Sequence, residues 1–136
     1  MKKKLPPRRS DCPIACALDL IGDRWTLLVL RDLIMVRKRH FRELLACNEG
    51  IATNILASRL KLLEAAGLAT RQVDDGQARR VVYKPTEKAL DMLPVLVELI
   101  RWSLKYSPGS AIPAQFARRL ARDRESFIAE LRAAHS

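Results

Sequence analysis

Between residues 53 and 66 the sequence places two kinds of side chain on opposite faces of one predicted helix. The apolar face is formed by Ile55, Leu56, Leu60 and Leu63, spaced mainly by four and three residues. The opposite face is small or polar and contains no acid: it consists of Thr53, Asn54, Ala57, Ser58 and Lys61. Hydroxyl, amide and ammonium groups can bond to base edges in a DNA major groove, and a methyl side chain can contact thymine there. The alternative is the solvated face of an ordinary core helix.

Three cysteines are the next candidates for chemistry. Cys12 lies at a predicted helix start near Arg8 and Arg9, and both a helix N-terminus and cationic neighbours favour the reactive thiolate. We therefore weigh thiol-based sensing of oxidants by Cys12 against an inert cysteine at a helix start. Cys16 is expected to pack as a small hydrophobe, and Cys47 could do either. Their spacing is not a zinc pattern, so we expect no metal and no cofactor.

The motifs of catalysis are missing from the sequence. It contains no glycine-rich phosphate loop, no paired histidine ligands and no nucleophile elbow. His40 and His135 are its two histidines, which leaves acid–base catalysis little to work with. We expect a binding protein and not an enzyme.

Composition narrows the choice of partner. The 136 residues carry 25 Lys and Arg against 15 Asp and Glu, a net charge of +10, which favours a polyanion such as nucleic acid or an acidic membrane surface. No run approaches the ~20 apolar residues that span a bilayer, and the basic start has no apolar run behind it, as a secretory signal would. An odd number of cysteines also argues against a secreted disulfide framework. The expected location is cytoplasmic, without a membrane partner.

The flanking segments predict the elements that position the polar face. We predict a flexible basic arm over 1–11 and then a first helix over Ile14–Ile21, which Gly22 ends. A buried second helix, capped by Asp23, runs from Trp25 to Ile34. A short third helix contains Phe41, Leu44 and Leu45, and the fourth helix is the one that Gly67 terminates. Between the second and third helices lies a basic turn. Its cations, with one on the third helix, are expected to contact the DNA backbone: Arg37, Lys38, Arg39 and Arg42.

After Gly67 the apolar period changes to that of strands. Residues 68–73 and 79–83 predict a hairpin around a turn at Asp74-Asp75-Gly76. Its cations Arg71, Arg79 and Arg80 are expected at phosphates or the minor groove, the alternatives being a solvated hairpin or ion pairs with Asp74 and Asp75. The predicted fold class is therefore mainly α with a small β-hairpin wing, a winged helix-turn-helix.

The C-terminal third predicts self-association. A helix opens at Pro85-Thr86-Glu87 with Thr86 as its N-cap, and we expect Pro94 to kink it. Two apolar stripes run along this helix, one with Leu90, Leu93, Val97, Ile100 and Leu104, the other with Met92, Leu96 and Leu99. A small domain covers only one stripe, so we expect a homodimer through terminal helices. The residues assigned to that interface are Leu90, Leu93, Leu96, Val97, Ile100, Trp102 and Leu104.

The predicted domain organisation has three parts. Residues 1–11 form the arm, 12–106 the winged helix-turn-helix with its dimerisation helix, and 107–136 a linker and an extra amphipathic helix. The apolar face of that last helix is formed by Phe116, Leu120, Phe127 and Leu131.

The sequence resembles the HxlR family of bacterial transcriptional regulators, which is related to the MarR group, in the order and spacing of several short motifs. The matching segments include Cys12-Pro13, Gly22-Asp23-Arg24-Trp25, Phe41-Arg42-Glu43-Leu44, Gly50-Ile51, Arg59-Leu60, Gly67-Leu68, Arg80-Val81, Tyr83, Pro94 and Trp102, so the resemblance covers about residues 12–106. Two departures stand out: Ala52 replaces the usual serine cap of the polar helix, and the wing lacks the usual prolines. Without that cap the helix loses ~1 kcal/mol, unless Thr53 takes its place.

The resemblance implies a homodimeric, sequence-specific DNA-binding regulator, expected to be a repressor, on an inverted-repeat operator. Several redox-sensing members of the family use a cysteine at the position that Cys12 resembles. An oxidant or small-molecule effector is therefore a further expectation. The competing interpretation is a nonspecific basic nucleic-acid-binding protein, associated with the nucleoid or the ribosome.

Overall fold

The computed structural model describes residues 5–74, 76, 80–107 and 112–135. Within them the elements are α1 (Pro13–Ile21), α2 (Thr26–Ile34), α3 (Phe41–Leu45), α4 (Thr53–Ala65), β1 (Ala69–Val73), β2 (Val81–Pro85), α5 (Glu87–Leu90), α6 (Leu93–Tyr106), α7 (Ala114–Arg122) and α8 (Arg124–Ala133). This is the predicted mainly helical fold with a two-stranded antiparallel hairpin. None of the described helices is long and apolar enough to cross a bilayer.

The chain divides into two compact units, residues 1–89 and 90–136. The first contains α1 to α4 and the hairpin, and the second contains α6 to α8. The division falls inside the segment 12–106 that the sequence predicts as one domain.

The core of the first unit is aliphatic and centres on α2. Leu30, Leu33 and Ile34 of α2 are fully buried, as are Leu56 and Leu63 of α4. Each fully buried side chain of this size contributes about 1.5–3 kcal/mol relative to an exposed one. The predicted apolar stripe of α4 therefore faces the core.

Asp23 supplies the hydrogen bonds expected of a cap for α2. Its Oδ2 accepts the backbone N–H of Trp25 at 2.9 Å and of Thr26 at 3.1 Å, and its other oxygen accepts the Thr26 hydroxyl. Partial burial raises the pKa of this carboxyl, but the hydrogen bonds from Thr26 and Trp25 and the charge of Arg59 outweigh it and lower the pKa overall. Arg59 Nε lies 2.9 Å from Asp23 Oδ2, close enough for an ion pair but without hydrogen-bond geometry, which links α4 to the start of α2.

The hairpin is displaced from its predicted position. β1 pairs with β2 from Ala69 opposite Pro85 to Val73 opposite Val81, so the second strand begins two residues later than predicted and includes Pro85. The Asp74 N–H donates to the Arg80 carbonyl at 2.7 Å, which closes a turn longer than Asp74-Asp75-Gly76. The observed register pairs Val73 with Val81. This accounts for the shift, because it places two strand-forming residues opposite each other in the ladder.

The end of α4 is tied to the end of the hairpin. Gly67 adopts φ +73°, the left-handed conformation that only glycine adopts cheaply, and stops the helix as predicted. The Thr86 hydroxyl donates to the Gly67 carbonyl at 2.6 Å, and the Lys88 ammonium donates to the Ala66 carbonyl at 2.7 Å. Thr86 also accepts the Ala89 N–H at 3.3 Å, as its predicted capping role requires.

Two predictions about C-terminal helices are wrong. The helix that opens at Glu87 is not kinked by Pro94 but ends at Leu90, and α6 begins at Leu93 with Pro94 in its first turn. Proline suits that turn because its missing N–H would have no helical acceptor there. The predicted last helix is interrupted at Asp123 into α7 and α8.

In the second unit, α7 and α8 pack through aromatic side chains. The rings of Phe116 and Phe127 meet edge to face at 4.9 Å, and Leu120 is buried. Arg119 pairs with Glu130 across the two helices. The break at Asp123 therefore lets the apolar faces of two short helices face each other.

The described part of the arm contacts α1, so its flexibility is not supported for residues 5–11. Arg9 donates to Asp19 Oδ1 from Nε at 3.1 Å and from Nη2 at 2.6 Å. The Ser10 hydroxyl accepts the Cys12 N–H at 3.1 Å at the start of α1. The lysines at positions 2–4 lie outside the described residues.

Candidate nucleic-acid interface

The polar face of α4 is accessible. Thr53, Asn54 and Lys61 are exposed, while Ala57 and Ser58 are half-buried. All five predicted side chains lie on one helix that the core holds from its other side. The sequence-predicted set is thus presented by one element, with no acidic residue between Thr53 and Lys61.

The N-terminus of α4 has no side-chain cap. The helix begins at Thr53 with Ala52 in the extended N-cap conformation (φ −75°, ψ 148°), and no side chain caps it. The prediction that Thr53 could replace the missing cap is therefore wrong, because Thr53 is itself the first helical residue. The helix starts without the ~1 kcal/mol that a serine cap would supply.

An ionic network fixes the segment that leads into α4. Arg31 of α2 donates to both carboxylate oxygens of Glu49, at 3.1 and 2.7 Å, and to the buried Asp32. Lys38 Nζ donates to the other oxygen of Asp32 at 3.1 Å. Arg31, Asp32 and Glu49 are not predicted from the sequence, because no local pattern joins Arg31 to a carboxylate 18 residues away.

Glu49 should therefore carry measurable, pH-dependent stability. The hydrogen bonds from Arg31 lower the pKa of Glu49, and burial only partly opposes them. A pKa that is lowered in the folded state stabilises the protein at pH values above the pKa of the unfolded chain. This stabilisation is lost as the pH falls through the pKa of the folded state. We expect Glu49→Gln to reduce the free energy of unfolding by about 1 kcal/mol at pH 7, with no difference in strong acid.

Urea denaturation at pH 7 and in acid measures the change in the free energy of unfolding. Glu64→Gln is the matched control, because Glu64 is an exposed glutamate of α4. An equal loss in both variants, or a loss in Glu49→Gln that persists in acid, would contradict the role of the Arg31–Glu49 pair.

The four predicted backbone-contacting cations fall into two pairs. Arg37 and Arg42 are exposed, and Arg37 holds a positive φ of 64° in the turn after α2. Lys38 binds Asp32, and the Arg39 guanidinium donates to the carbonyls of Leu33 and Lys38 at 2.9 and 2.8 Å. Arg37 and Arg42 are thus the more available for phosphate, while Lys38 and Arg39 hold the turn together.

The wing presents two of its three predicted arginines within the described residues. Arg71 and Arg80 are exposed, Arg71 opposite Tyr83 in the ladder and Arg80 just before β2. Arg79 and Asp75, and with them the alternative of an ion pair to Asp75, lie outside the described residues. In the part of the chain that is described, Asp74 accepts the Gly76 N–H at 3.2 Å.

The predicted environment of Cys12 differs from the observed one. Cys12 is exposed at the N-cap of α1, but Arg9 is bound to Asp19, and Arg8 pairs with Asp11 at 3.3 Å. These cations are therefore compensated by carboxylates, and only the exposure and the helix-start position of Cys12 remain as supports for reactivity.

The other two cysteines are half-buried, and their contacts differ. The Cys16 thiol donates to the Ser10 carbonyl at 3.1 Å, and the Cys47 thiol bonds to Glu49. Across the described residues, no three His, Cys, Asp or Glu side chains cluster as metal ligands.

Helix α6 carries an exposed apolar stripe. It consists of Val95, Leu99, Trp102 and Tyr106, spaced by four, three and four residues, with Trp102 68% and Leu99 48% exposed. Of the predicted interface residues, Leu90, Leu93, Leu96 and Val97 are buried within the chain, whereas Ile100 and Leu104 are half-buried and Trp102 is exposed. An apolar stripe is thus exposed on α6, but Trp102 alone of the predicted interface residues belongs to it, because the face around Leu93 and Val97 is buried.

Comparison with known proteins places these features in a family. The model of the HxlR-like helix-turn-helix family matches residues 20–111. An uncharacterised HTH-type transcriptional regulator of Mycobacterium tuberculosis (strain H37Rv) is 38% identical over 92 residues, 68% of this chain and 57% of that protein. Another from Halalkalibacterium halodurans is 36% identical over 95 residues, 70% of this chain and 84% of that protein. The chain thus spans little more than half the length of the mycobacterial relative.

Solved structures show the same fold. PA1607, a candidate transcription factor, has a TM-score of 0.68 at 31% identity, covering 77% of this chain and 73% of that one. The reduced form of the transcriptional regulator YodB from B. subtilis has a TM-score of 0.61 at 29% identity, covering 74% and 99%. The redox regulator HypR in its oxidised form has a TM-score of 0.60 at 27% identity, covering 69% and 96%.

Proposed function

Because the chain belongs to the family of HxlR-like helix-turn-helix transcriptional regulators, we propose that it represses transcription as a homodimer bound to an inverted-repeat operator. The observation that carries this proposal is the exposed, acid-free face of α4, held by a buried opposite face and followed by a hairpin with two exposed arginines. A helix of this kind fits one major groove, where its polar side chains read base edges.

The exposed stripe on α6 supports the proposed homodimer. Four exposed apolar side chains in a row are costly in water, and a two-fold contact between identical stripes covers them. Such a pair would present two α4 helices to successive major grooves about one helical turn apart.

Footprinting on the DNA upstream of the chain's own gene tests the proposal. Protection of a short inverted repeat, with an affinity that falls steeply as salt rises, is the expected result. Uniform coating of any duplex would favour a nonspecific basic protein instead, and a salt dependence near zero would contradict DNA binding altogether.

We further propose that oxidation of Cys12 releases the operator. Its thiol is exposed at the start of α1, and hydrogen peroxide would convert the thiolate form of this side chain to a sulfenic acid with release of hydroxide. The similarity to the redox regulator HypR supports this assignment. We expect peroxide to weaken operator binding at least about tenfold in the unaltered protein and a thiol reductant to restore it.

Cys12→Ser should bind the operator normally and lose the peroxide response, as measured by fluorescence anisotropy before and after treatment. Cys16→Ser is the matched control and should respond like the unaltered protein, because the Cys16 thiol is half-buried and bonded to Ser10. An undiminished response in Cys12→Ser would rule Cys12 out as the sensor.

A further inference from the structure

An open recess lies where α3 meets the start of β2. It is lined by His40, Phe41, Arg42, Glu43, Arg80 and Val81. The two sides of the recess are about forty residues apart in the sequence, so only the fold brings Arg42 and Arg80 to one place.

Two hydrogen bonds hold the sides of the recess in register. His40 Nδ1 lies 3.2 Å from the Val81 carbonyl oxygen, within hydrogen-bond distance. The Tyr83 N–H donates to the Arg39 carbonyl at 2.7 Å. The segment before α3 is thus bonded to β2 at two points.

The charge of the recess is positive. Arg42 and Arg80 are exposed, and neither has an acidic partner among the residues described. The one carboxylate, Glu43, accepts the backbone N–H of Arg39 at 3.2 Å and of His40 at 3.0 Å. These hydrogen bonds lower the pKa of Glu43 and commit its charge to the start of α3.

We propose that this recess binds one phosphate of the duplex backbone, with Arg42 and Arg80 donating to the same group from two elements. Guanidinium groups suit this role because their fixed fork of donors matches phosphate oxygens. The inference rests on the proposed DNA binding and adds a specific, shared contact to it. A phosphate held there fixes the wing and α3 to the same point of the DNA, and it carries no sequence information.

Salt dependence distinguishes a shared phosphate from two separate ones. Log affinity falls with log salt concentration, and each phosphate contact contributes ~0.9 to the magnitude of that negative slope, which is the slope compared below. If both arginines bind one phosphate, the double variant Arg42→Gln/Arg80→Gln lowers the slope of a dimer by about 1.8, and each single variant by less. Two separate phosphates would give about 1.8 for each single variant and about 3.6 for the double variant.

Ethylation interference identifies the phosphate itself. In the unaltered protein, ethylating this phosphate in either half-site should weaken binding. The interference at that one position should diminish in both single variants and disappear in the double variant. Arg118→Gln, which removes an exposed arginine of α7, is the matched control and should keep the full pattern.

Loss of interference at different phosphates in the two single variants, or no loss in either, would overturn the shared site while leaving operator binding intact. Failure of the unaltered protein to bind any duplex would be a different result, since it would remove the proposed function and this inference with it.

Discussion

Asn54→Asp should weaken operator binding by about 100-fold or more while leaving the fold intact. Asn54 is the second residue of α4 and is exposed on its acid-free face. The change is nearly isosteric, but it replaces an amide that can pair with adenine by a carboxylate facing the DNA. Each lost base contact costs ~1–3 kcal/mol, and a dimer loses it twice.

The same substitution should slightly stabilise the isolated protein. A carboxylate in the first helical turn interacts favourably with the helix dipole, by about 0.5 kcal/mol. Opposite signs for stability and affinity would separate a lost contact from a damaged fold, and thermal denaturation and fluorescence anisotropy measure the two.

Gln115→Glu is the matched control for this experiment. Gln115 is exposed and is the second residue of α7, so it gains the same charge at the same position of another helix. It should leave operator affinity within a few-fold of the original value. If Asn54→Asp bound the operator as tightly as Gln115→Glu does, the polar face of α4 would not be the DNA-reading surface.

Leu99→Glu should convert the protein to a monomer and reduce operator affinity by about 100-fold or more. Leu99 lies in the middle of the exposed stripe of α6. In the proposed dimer the substitution would place two like charges in an apolar interface, at a cost of several kcal/mol for each buried charge. Separated subunits lose the ~10²–10⁴-fold gain that comes from engaging two half-sites together.

Light scattering after gel filtration measures the change in mass. The unaltered protein should have twice the 15.4 kDa of one chain, and Leu99→Glu should have that single mass. Ser126→Glu adds the same charge at an exposed position of α8 and should remain dimeric. A Leu99→Glu protein that stays dimeric would mean that another surface joins the subunits.

Local signals were sufficient for much of the fold. Periodicity located α4 and its buried side, and Gly67 marked its end correctly. Asp23 and Thr86 are predictable as caps because a short polar side chain directly before an apolar run favours the N-cap position. Each of these features depends on residues within one or two helical turns.

The errors concern choices that only packing decides. Pro94 is compatible with a kink or with a first turn, and the sequence does not distinguish them. At the break the sequence offers only Asp123, a residue type that favours an N-cap, with neither glycine nor proline near it. The two short helices there pack Phe116 against Phe127. Which apolar stripe of α6 stays exposed is likewise a property of the folded chain.

The candidate site was predicted in its parts but not in its connections. The polar face of α4 and the exposed Arg42 and Arg80 follow from residue type and spacing. The bidentate Arg31–Glu49 pair and the contact of His40 with Val81 join residues 18 and 41 apart, beyond the reach of any local pattern.

The bonds from Thr86 and Lys88 to the last carbonyls of α4 have a consequence for how DNA would be released. They join the C-terminus of α4 to the segment that follows β2, so a tilt of the proposed DNA-reading helix would carry the hairpin along. A signal would then not have to weaken the contacts of α4 with the major groove separately from those of the hairpin with the neighbouring DNA. A small rotation of α4 together with the hairpin would lift both from the half-site, and occupancy would fall in one step.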